Sequence, residues 1–239
     1  MYACVSAGGS AGAHRAGRTH RGCKQQVNLE EGGTAVFDAA HIYALDLETD
    51  TTINGLDPRV AAITECAVST AAGDTVLCAD YGEATMLFNL DRHLGALPPG
   101  LIVTWNGAFF DLPFLDTRRR ILSLPPSSTL RSFGLRLIPQ PMLPPRYNYI
   151  GDHTCGYTAV WSRGDDFPHQ HLDISFAYRK MAADLGVKHA LKPVARALGI
   201  EVIEVDRERM HLLTQAQRTA YAASDTHATR ELAIRLLGA

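Results

Sequence analysis

Asp46 and Glu48 stand one residue apart in the stretch IYALDLETD, residues 42–50, where they interrupt the mainly apolar run that begins at Ile42. Residues two apart on a β-strand point to the same face, so Asp46 and Glu48 are expected to lie side by side. Leu45 and Leu47 then pack on the opposite face. Two like charges held together are costly unless a proton or a cation neutralises them. The pair is therefore either solvated at the end of a strand or a pair of metal ligands.

Two further carboxylates occur in stretches that can bring them to the same region. Asp111 begins a predicted helix after an Asn-Gly turn, in WNGAFFDLPFL, and helix capping is the commonest use of Asp at such a position. Tyr221 and Asp225 lie four residues apart in the helical stretch YAASD, and therefore share one face of that helix. Taken singly, each motif has an ordinary structural explanation, as a cap or as a surface pair.

A row of basic residues occurs in GVKHALKPVARALGI, residues 186–200. Lys188, Lys192 and Arg196 are spaced by four, which predicts one basic stripe along a helix, beside an apolar stripe that includes Leu191 and Val194. Two interpretations stay open at this point. The stripe is either the solvated face of an amphipathic helix or a surface that contacts phosphate groups.

The overall composition is that of an ordinary globular protein. The chain has 239 residues, with 23 basic and 25 acidic side chains and a formal net charge of −2. This balance excludes a strongly basic nucleic-acid coat protein but not an enzyme with a local basic patch. The five cysteines form no CxxC pair, so a structural zinc site is not expected. An odd number of cysteines at scattered spacings suits a reducing compartment, so we expect a cytoplasmic protein. No apolar run approaches the roughly 20 residues that cross a membrane, so we expect no membrane association.

Residues 1–40 differ in composition from the rest of the chain. They are rich in Ala, Gly and Ser, and carry four basic residues before the first acid, Glu30. We expect a disordered tail or a start codon assigned too early. An Arg-rich, acid-poor start is also compatible with a transit peptide. The folded domain is expected over residues 41–239.

The pattern after residue 40 predicts an α/β fold. Five strands are predicted, at 41–47, 59–70, 75–79, 100–106 and 172–175. Five helices are predicted, at 84–97, 111–122, 176–185, 189–198 and 215–237. A loop-rich insertion, with a hairpin near YTAVWS, is expected over 124–168. Short turns between the first three strands favour an antiparallel meander, and the later strand–helix–strand unit adds parallel strands to a mixed sheet flanked by helices.

The motifs DLET, NGAFFDLPFL and YAASD, in this order and spacing, resemble those of the DEDD superfamily of 3′–5′ exonucleases, which have a ribonuclease H-like fold. Tyr221 lies four residues before Asp225, as in the Tyr branch (DEDDy) of that superfamily, whereas the other branch has a His five residues before the Asp. GLDP, HLDI and LKPVARALGI also resemble stand-alone relatives of family B DNA polymerase proofreading domains. The resemblance covers about residues 42–237 and is poor over 124–167.

The resemblance implies a site for two divalent cations, Mg²⁺ or Mn²⁺, which prefer carboxylate and water oxygens. Asp46 would bridge the two ions, and Glu48 and Asp225 would complete the site of the ion that activates water. Asp111 would hold the second ion through water molecules. Tyr221 would orient the attacking water, since an ordinary pKa near 10 makes a phenol a poor general base.

The resemblance also implies that Asn106 and Phe110 shape the substrate groove. Leu47 and Thr49, beside the first motif, and Lys188 and Lys192, from the basic stripe, complete the expected substrate-binding residues. An aromatic side chain such as Phe110 can stack on a terminal base. Asp173, on a predicted strand, is the carboxylate most easily mistaken for a further ligand.

The function implied is the hydrolysis of phosphodiester bonds at the 3′ ends of single-stranded DNA, with release of nucleoside 5′-monophosphates. A role in proofreading or DNA repair would require a polymerase or repair partner in trans. RNA is the alternative substrate, as for ribonuclease D-like enzymes, because no element can be assigned to reading a 2′-OH. A non-catalytic nucleic-acid-binding module and an endonuclease on the same fold are two further candidate functions.

Overall fold

The computed structural model of the protein describes residues 38–124, 135–148, 151–161 and 169–239. The tail expected over 1–40 falls almost entirely outside this part of the chain. So do several stretches of the insertion expected over 124–168.

Seven strands and five α-helices occur in the described residues. The strands are β1 (Ile42–Thr49), β2 (Ile63–Thr70), β3 (Gly73–Cys78), β4 (Leu101–Thr104), β5 (Leu135–Asn148), β6 (Gly151–Trp161) and β7 (Gln170–Asp173). The helices are α1 (Glu83–Ala96), α2 (Asp111–Ile121), α3 (Tyr178–Asp184), α4 (Leu191–Ala197) and α5 (Gln215–Leu237). Short 3-10 segments occur at Ala39–His41, Ala79–Tyr81, Ile174–Phe176 and Arg207–Leu212.

Five of the strands form one mixed sheet in the order β3-β2-β1-β4-β7. The β1–β2 and β2–β3 pairs are antiparallel, whereas β1–β4 and β4–β7 are parallel. This confirms the predicted class, an antiparallel meander extended by parallel strands and flanked by helices, as in the ribonuclease H-like fold. The remaining two strands, β5 and β6, form the hairpin predicted within the insertion.

The central strand β1 has both faces covered, which decides where its acidic residues lie. Leu45 and Leu47 belong to the apolar cluster that contains residues of α1 and α2. Ile42 and Ala44 belong to the opposite cluster, which contains residues of α4 and α5. Because side chains alternate along a strand, Asp46 and Glu48 continue the second face and point towards α5.

Helix α5 is fixed at both ends and along its length. The Thr214 side chain accepts a hydrogen bond from the Gln217 backbone N–H in a capping box, and Gly238 ends the helix in the left-handed conformation with φ 65°. The buried Arg230 guanidinium donates to the backbone carbonyls of Ile42 and Ala39 at 3.0 and 2.7 Å. These bonds fasten the helix that carries the YAASD motif to the start of the central strand.

Strand β2 starts at Ile63, later than the predicted residue 59, because a buried side-chain network holds the preceding loop. Arg118 of α2 donates to the Pro58 carbonyl at 3.0 Å and pairs with Glu83 of α1. The same Glu83 carboxylate accepts the backbone N–H of Ile63 at 2.8 Å. Residues 59–62 therefore belong to a loop held by these side chains rather than to the strand.

Candidate active site

Three of the predicted carboxylates meet beside the sheet. Oxygen atoms of Asp46, Glu48 and Asp225 all lie within 4.8 Å of one another. The first two come from the end of β1, and the third comes from the middle of α5. We call these three residues the acidic cluster. Oxygen donors at this separation, supplied by two rigid elements, form a set that suits a hard divalent cation.

Asp111, the fourth predicted carboxylate, lies beside the acidic cluster without being one of its three members. Its Oδ1 accepts the backbone N–H of Leu47 at 3.2 Å, so the side chain reaches the central strand instead of serving only as a helix cap. Its charge raises the pKa of Asp46. The turn that precedes it depends on Asn106, which has φ 67°, and on Gly107, where a Cβ atom would lie 2.5 Å from the Thr104 Cβ.

Burial and mutual repulsion change the ionisation of these carboxyl groups. Burial, followed by repulsion from Asp225, raises the pKa of Glu48 to about 8. Burial also raises the pKa of Asp111 to about 7. The pKa of Asp46 is raised well above its ordinary value by burial and by the charges of Asp111, Glu48 and Asp225. Without a bound cation the site therefore retains protons near neutral pH, and binding of a cation releases them.

The stability of the metal-free protein is expected to fall as pH rises from about 5 to about 8. The unfolded chain releases the Glu48 and Asp111 protons near the ordinary values of 4.5 and 3.8, whereas the folded protein holds them to about 8 and 7. This contribution to stability is thus complete at pH values below the pKa values of the unfolded chain. It is lost as the pH rises past the pKa values of the folded protein. Thermal unfolding in a chelator and in excess Mg²⁺ across this range measures the effect.

Two comparisons test the cause of this pH dependence. Excess Mg²⁺ should remove most of the decline, because the cation stabilises the ionised carboxylates, and Glu48→Gln should flatten it in the chelator. Equal slopes with and without Mg²⁺ would show that groups elsewhere in the protein cause the decline.

Lys192 lies inside the site, contrary to the predicted basic stripe. Its ammonium group is buried, 3.2 Å from Oδ1 of Asp225 and 3.8 Å from the centre of the Tyr221 ring. It also donates to the Ile203 carbonyl at 2.5 Å. Because α4 begins at Leu191, the exposed Lys188 precedes the helix. The prediction of one exposed stripe was therefore wrong, since one member is outside the helix and another is drawn inwards by a carboxylate.

Tyr221 is buried against the acidic cluster, and an arginine reaches its hydroxyl. The Nε of Arg207 donates to the Tyr221 hydroxyl oxygen at 3.2 Å. Burial, together with the charges of Asp225 and Glu48, raises the pKa of this phenol. The hydroxyl therefore stays protonated at working pH and can act as a hydrogen-bond partner. No pattern in the sequence pointed to Arg207, which belongs to none of the three motifs.

Asp173 has a structural role, which agrees with the expectation that this carboxylate is not a metal ligand. Its oxygens accept the backbone N–H groups of Asn106, Ala108 and Ser175, each at 3.0 Å, and the Ser175 hydroxyl at 2.7 Å. These bonds hold the turn that leads into α2. Asp173 therefore acts on the site by fixing the backbone in front of Asp111.

The other predicted substrate-binding residues differ in what their side chains contact. The Leu47 side chain packs in the core, so only the backbone of this residue faces the site. The Thr49 hydroxyl donates to the Gly55 carbonyl at 2.6 Å and holds the loop after β1. Asn106 and Phe110 are both half-buried, and the Phe110 ring packs on Phe114 with a centroid distance of 5.4 Å.

A second ion pair, not identified from the sequence, lies beside Glu48 of the acidic cluster. Glu65 of β2 is the register partner of Glu48 and is buried. Its Oε1 accepts from Nε of Arg218 at 2.7 Å. Arg218 belongs to the first turns of α5, so this pair ties the helix that carries Tyr221 to the strand beside β1. The sequence feature that could have indicated this pair was Glu65, an acidic residue within the strand predicted at 59–70.

Two comparisons with known proteins found similar chains. The family model for the exonuclease domain of DNA polymerase family B matches residues 44–142. The solved structure of the family B DNA polymerase from the hyperthermophilic archaeon Pyrobaculum calidifontis matches with a TM-score of 0.55 and 22% sequence identity. The match covers 82% of this chain and 24% of the polymerase chain.

These matches confirm the predicted resemblance to the 3′–5′ exonuclease domain of family B DNA polymerases and the predicted fold. The matched family is defined by exonuclease domains, and the structural match supports the fold alone. A search of curated proteins found no match. No helix in the described part of the chain is long and apolar enough to cross a membrane.

Proposed function

We propose that the protein is a metal-dependent 3′–5′ exonuclease that removes nucleotides from the 3′ ends of single-stranded DNA. The observation that carries the proposal is the convergence of Asp46, Glu48 and Asp225 within 4.8 Å, beside Tyr221 and next to Asp111. The order of these residues along the chain supports a DEDDy exonuclease in particular. The products would be nucleoside 5′-monophosphates.

The acidic cluster fits one divalent cation. Its members are two half-buried carboxyl groups and one buried one, whose charges need neutralising. Oδ1 of Asp225 is, among the described residues, a buried oxygen without a hydrogen bond of good geometry. Asp46, Glu48 and Asp225, together with Asp111, would hold a pair of Mg²⁺ or Mn²⁺ ions. When bound, such ions supply positive charge to the phosphate and leaving oxygens and lower the pKa of water.

The side chains around the cluster have separate tasks in this proposal. Tyr221 keeps its proton and orients the attacking water through its hydroxyl oxygen. Lys192 neutralises part of the Asp225 charge from within the protein. Asn106 and Phe110 line the approach of the terminal nucleotide, where an aromatic ring can stack on a base. These roles need fixed positions, and Tyr221 lies on α5, Lys192 on α4, and Asn106 and Phe110 in the turn before α2.

Incubation of the purified protein with 5′-labelled single-stranded DNA, and with RNA of the same sequence, tests the proposal. A ladder that shortens from the 3′ end, and that requires Mg²⁺ or Mn²⁺, is the expected result. Faster shortening of the RNA would favour a ribonuclease D-like enzyme. Binding of both strands without cleavage would favour a non-catalytic module, and internal cuts would indicate an endonuclease.

Tyr221→Phe is expected to lower kcat by about 10- to 100-fold while leaving substrate affinity nearly unchanged. The variant retains the ring that packs under Lys192 at 3.8 Å and loses only the hydroxyl, whose task is orientation. The residual activity should keep the pH profile of the wild type, because the phenol is not the base. A separate alkaline limb, present in the wild type and lost in the variant, would instead show that the phenol titrates during catalysis.

A further inference from the structure

Arg207 lies close to the acidic cluster and contacts Tyr221. It begins the 3-10 segment Arg207–Leu212, which precedes α5, and it is exposed. Its Nε donates to the Tyr221 hydroxyl at 3.2 Å. Its positive charge also acts on the carboxylates of Glu48 and Asp225. Arg207 therefore combines access to solvent with close contact to the site.

The two positively charged side chains near the site, Lys192 and Arg207, differ in their surroundings. Lys192 is buried between Asp225, the Tyr221 ring and a backbone carbonyl, an arrangement that leaves it no room to meet a substrate. Arg207 comes from a short surface segment, and its bond to the Tyr221 hydroxyl uses one of five guanidinium N–H donors. The N–H groups that remain can donate hydrogen bonds to two oxygens of one phosphate group.

We propose that Arg207 binds the scissile phosphate of the strand, an inference that rests on the proposed function. Its donors would bond to the non-bridging phosphate oxygens, which carry the charge of the diester. A bond to a charged phosphate is stronger than the bond to a neutral phenol. Arrival of the strand would therefore draw the guanidinium from Tyr221 and leave that hydroxyl free to orient the attacking water.

Measurements of strand binding test this role without depending on cleavage. The fluorescence anisotropy of a labelled single strand is titrated over a series of salt concentrations in an Asp46→Ala background. Adding Arg207→Gln should weaken binding about tenfold and reduce the slope of log affinity against log salt by about 0.7, the value for one lost phosphate contact on a single strand. Arg207→Lys should keep most of the slope and recover part of the affinity.

Arg209→Gln is the matched control. Arg209 lies two residues further along the same segment, with a side chain 73% exposed and 3.5 Å from Asp206. It has no part in the proposed contact, so its substitution should leave affinity and slope nearly unchanged. An equal effect of both substitutions would reduce the role of Arg207 to a general surface charge and overturn the proposal.

A strand with one uncharged internucleotide linkage shows which phosphate group Arg207 contacts. A strand with methylphosphonate in place of the 3′-terminal linkage removes the charge that Arg207 would meet. On this strand Arg207→Gln should have little further effect on affinity, whereas a strand with the next linkage replaced should still show the full loss. Equal losses on both strands would overturn the assignment to the scissile phosphate.

The outcomes separate this inference from the proposed function. Cleavage by the wild type with unchanged binding by Arg207→Gln would leave the exonuclease standing and remove the role of Arg207. Binding losses of the expected pattern in a protein that cuts no strand would keep the phosphate contact and remove the exonuclease. Thermal unfolding of Arg207→Gln and Arg207→Lys shows whether each variant is folded before its binding is compared.

Discussion

Replacing Asp46 by asparagine is expected to reduce 3′-end cleavage by about 10³-fold or more while making the metal-free protein more stable. The two effects have one cause. The carboxylate lies within 4.8 Å of those of Glu48 and Asp225, and burial together with repulsion raises its pKa well above the ordinary value. Asparagine keeps nearly the same volume but removes the charge that a cation needs. Single-turnover cleavage and thermal unfolding in a chelator measure the two effects.

Asp50→Asn is the control for this substitution. Asp50 follows β1, and its carboxylate accepts from the backbone N–H and the hydroxyl of Thr52 at 2.9 and 2.6 Å. Those bonds lower its pKa, so it behaves as a stabilised loop residue and not as a repelled ligand. Its substitution should change cleavage little and should not raise stability. Loss of both activity and stability in Asp46→Asn would mean that Asp46 supports the fold instead of a cation.

The acidic cluster could be predicted because strand alternation and helix spacing are local rules. Alternation alone places Asp46 and Glu48 on one face of β1, and the four-residue spacing places Tyr221 and Asp225 on one face of α5. The order of strands and helices then predicts the mixed sheet. The assembly of the four carboxylates required the resemblance to known exonucleases, since no local rule states which helix packs over which strand.

The basic residues could not be predicted in the same way. The helical spacing of Lys192 from Lys188 and Arg196 predicts an exposed stripe, but burial depends on the partner that a side chain meets. For Lys192 that partner, Asp225, lies on another helix. Arg207 belongs to a short segment without periodicity, so its contact with Tyr221 follows only from the packing of that segment against α5. Long side chains reach across elements, which is why their contacts appear only in three dimensions.

Lys192→Met is expected to destabilise the metal-free protein at pH 8 by about 3 kcal/mol, because it leaves a buried carboxylate without its cation. The Lys192 and Asp225 side chains are 6% and 4% exposed, and their charged atoms are 3.2 Å apart. Methionine keeps the length of the side chain and its packing on the Tyr221 ring but removes the charge. Denaturant unfolding in a chelator at pH 8, compared with pH 5, measures the loss.

Lys188→Met provides the matched control for this loss, since Lys188 is exposed and precedes α4. Its substitution should leave stability nearly unchanged.

At pH 5 the defect of Lys192→Met should shrink, because Asp225, whose pKa burial raises, then takes up a proton in place of its lost partner. Excess Mg²⁺ should stabilise Lys192→Met more than the wild type, since a bound cation then neutralises a carboxylate that has lost the ammonium group 3.2 Å away. A loss of the same size at both pH values and with Mg²⁺ would mean that Lys192 supports the fold by packing alone, and that Asp225 does not depend on its charge.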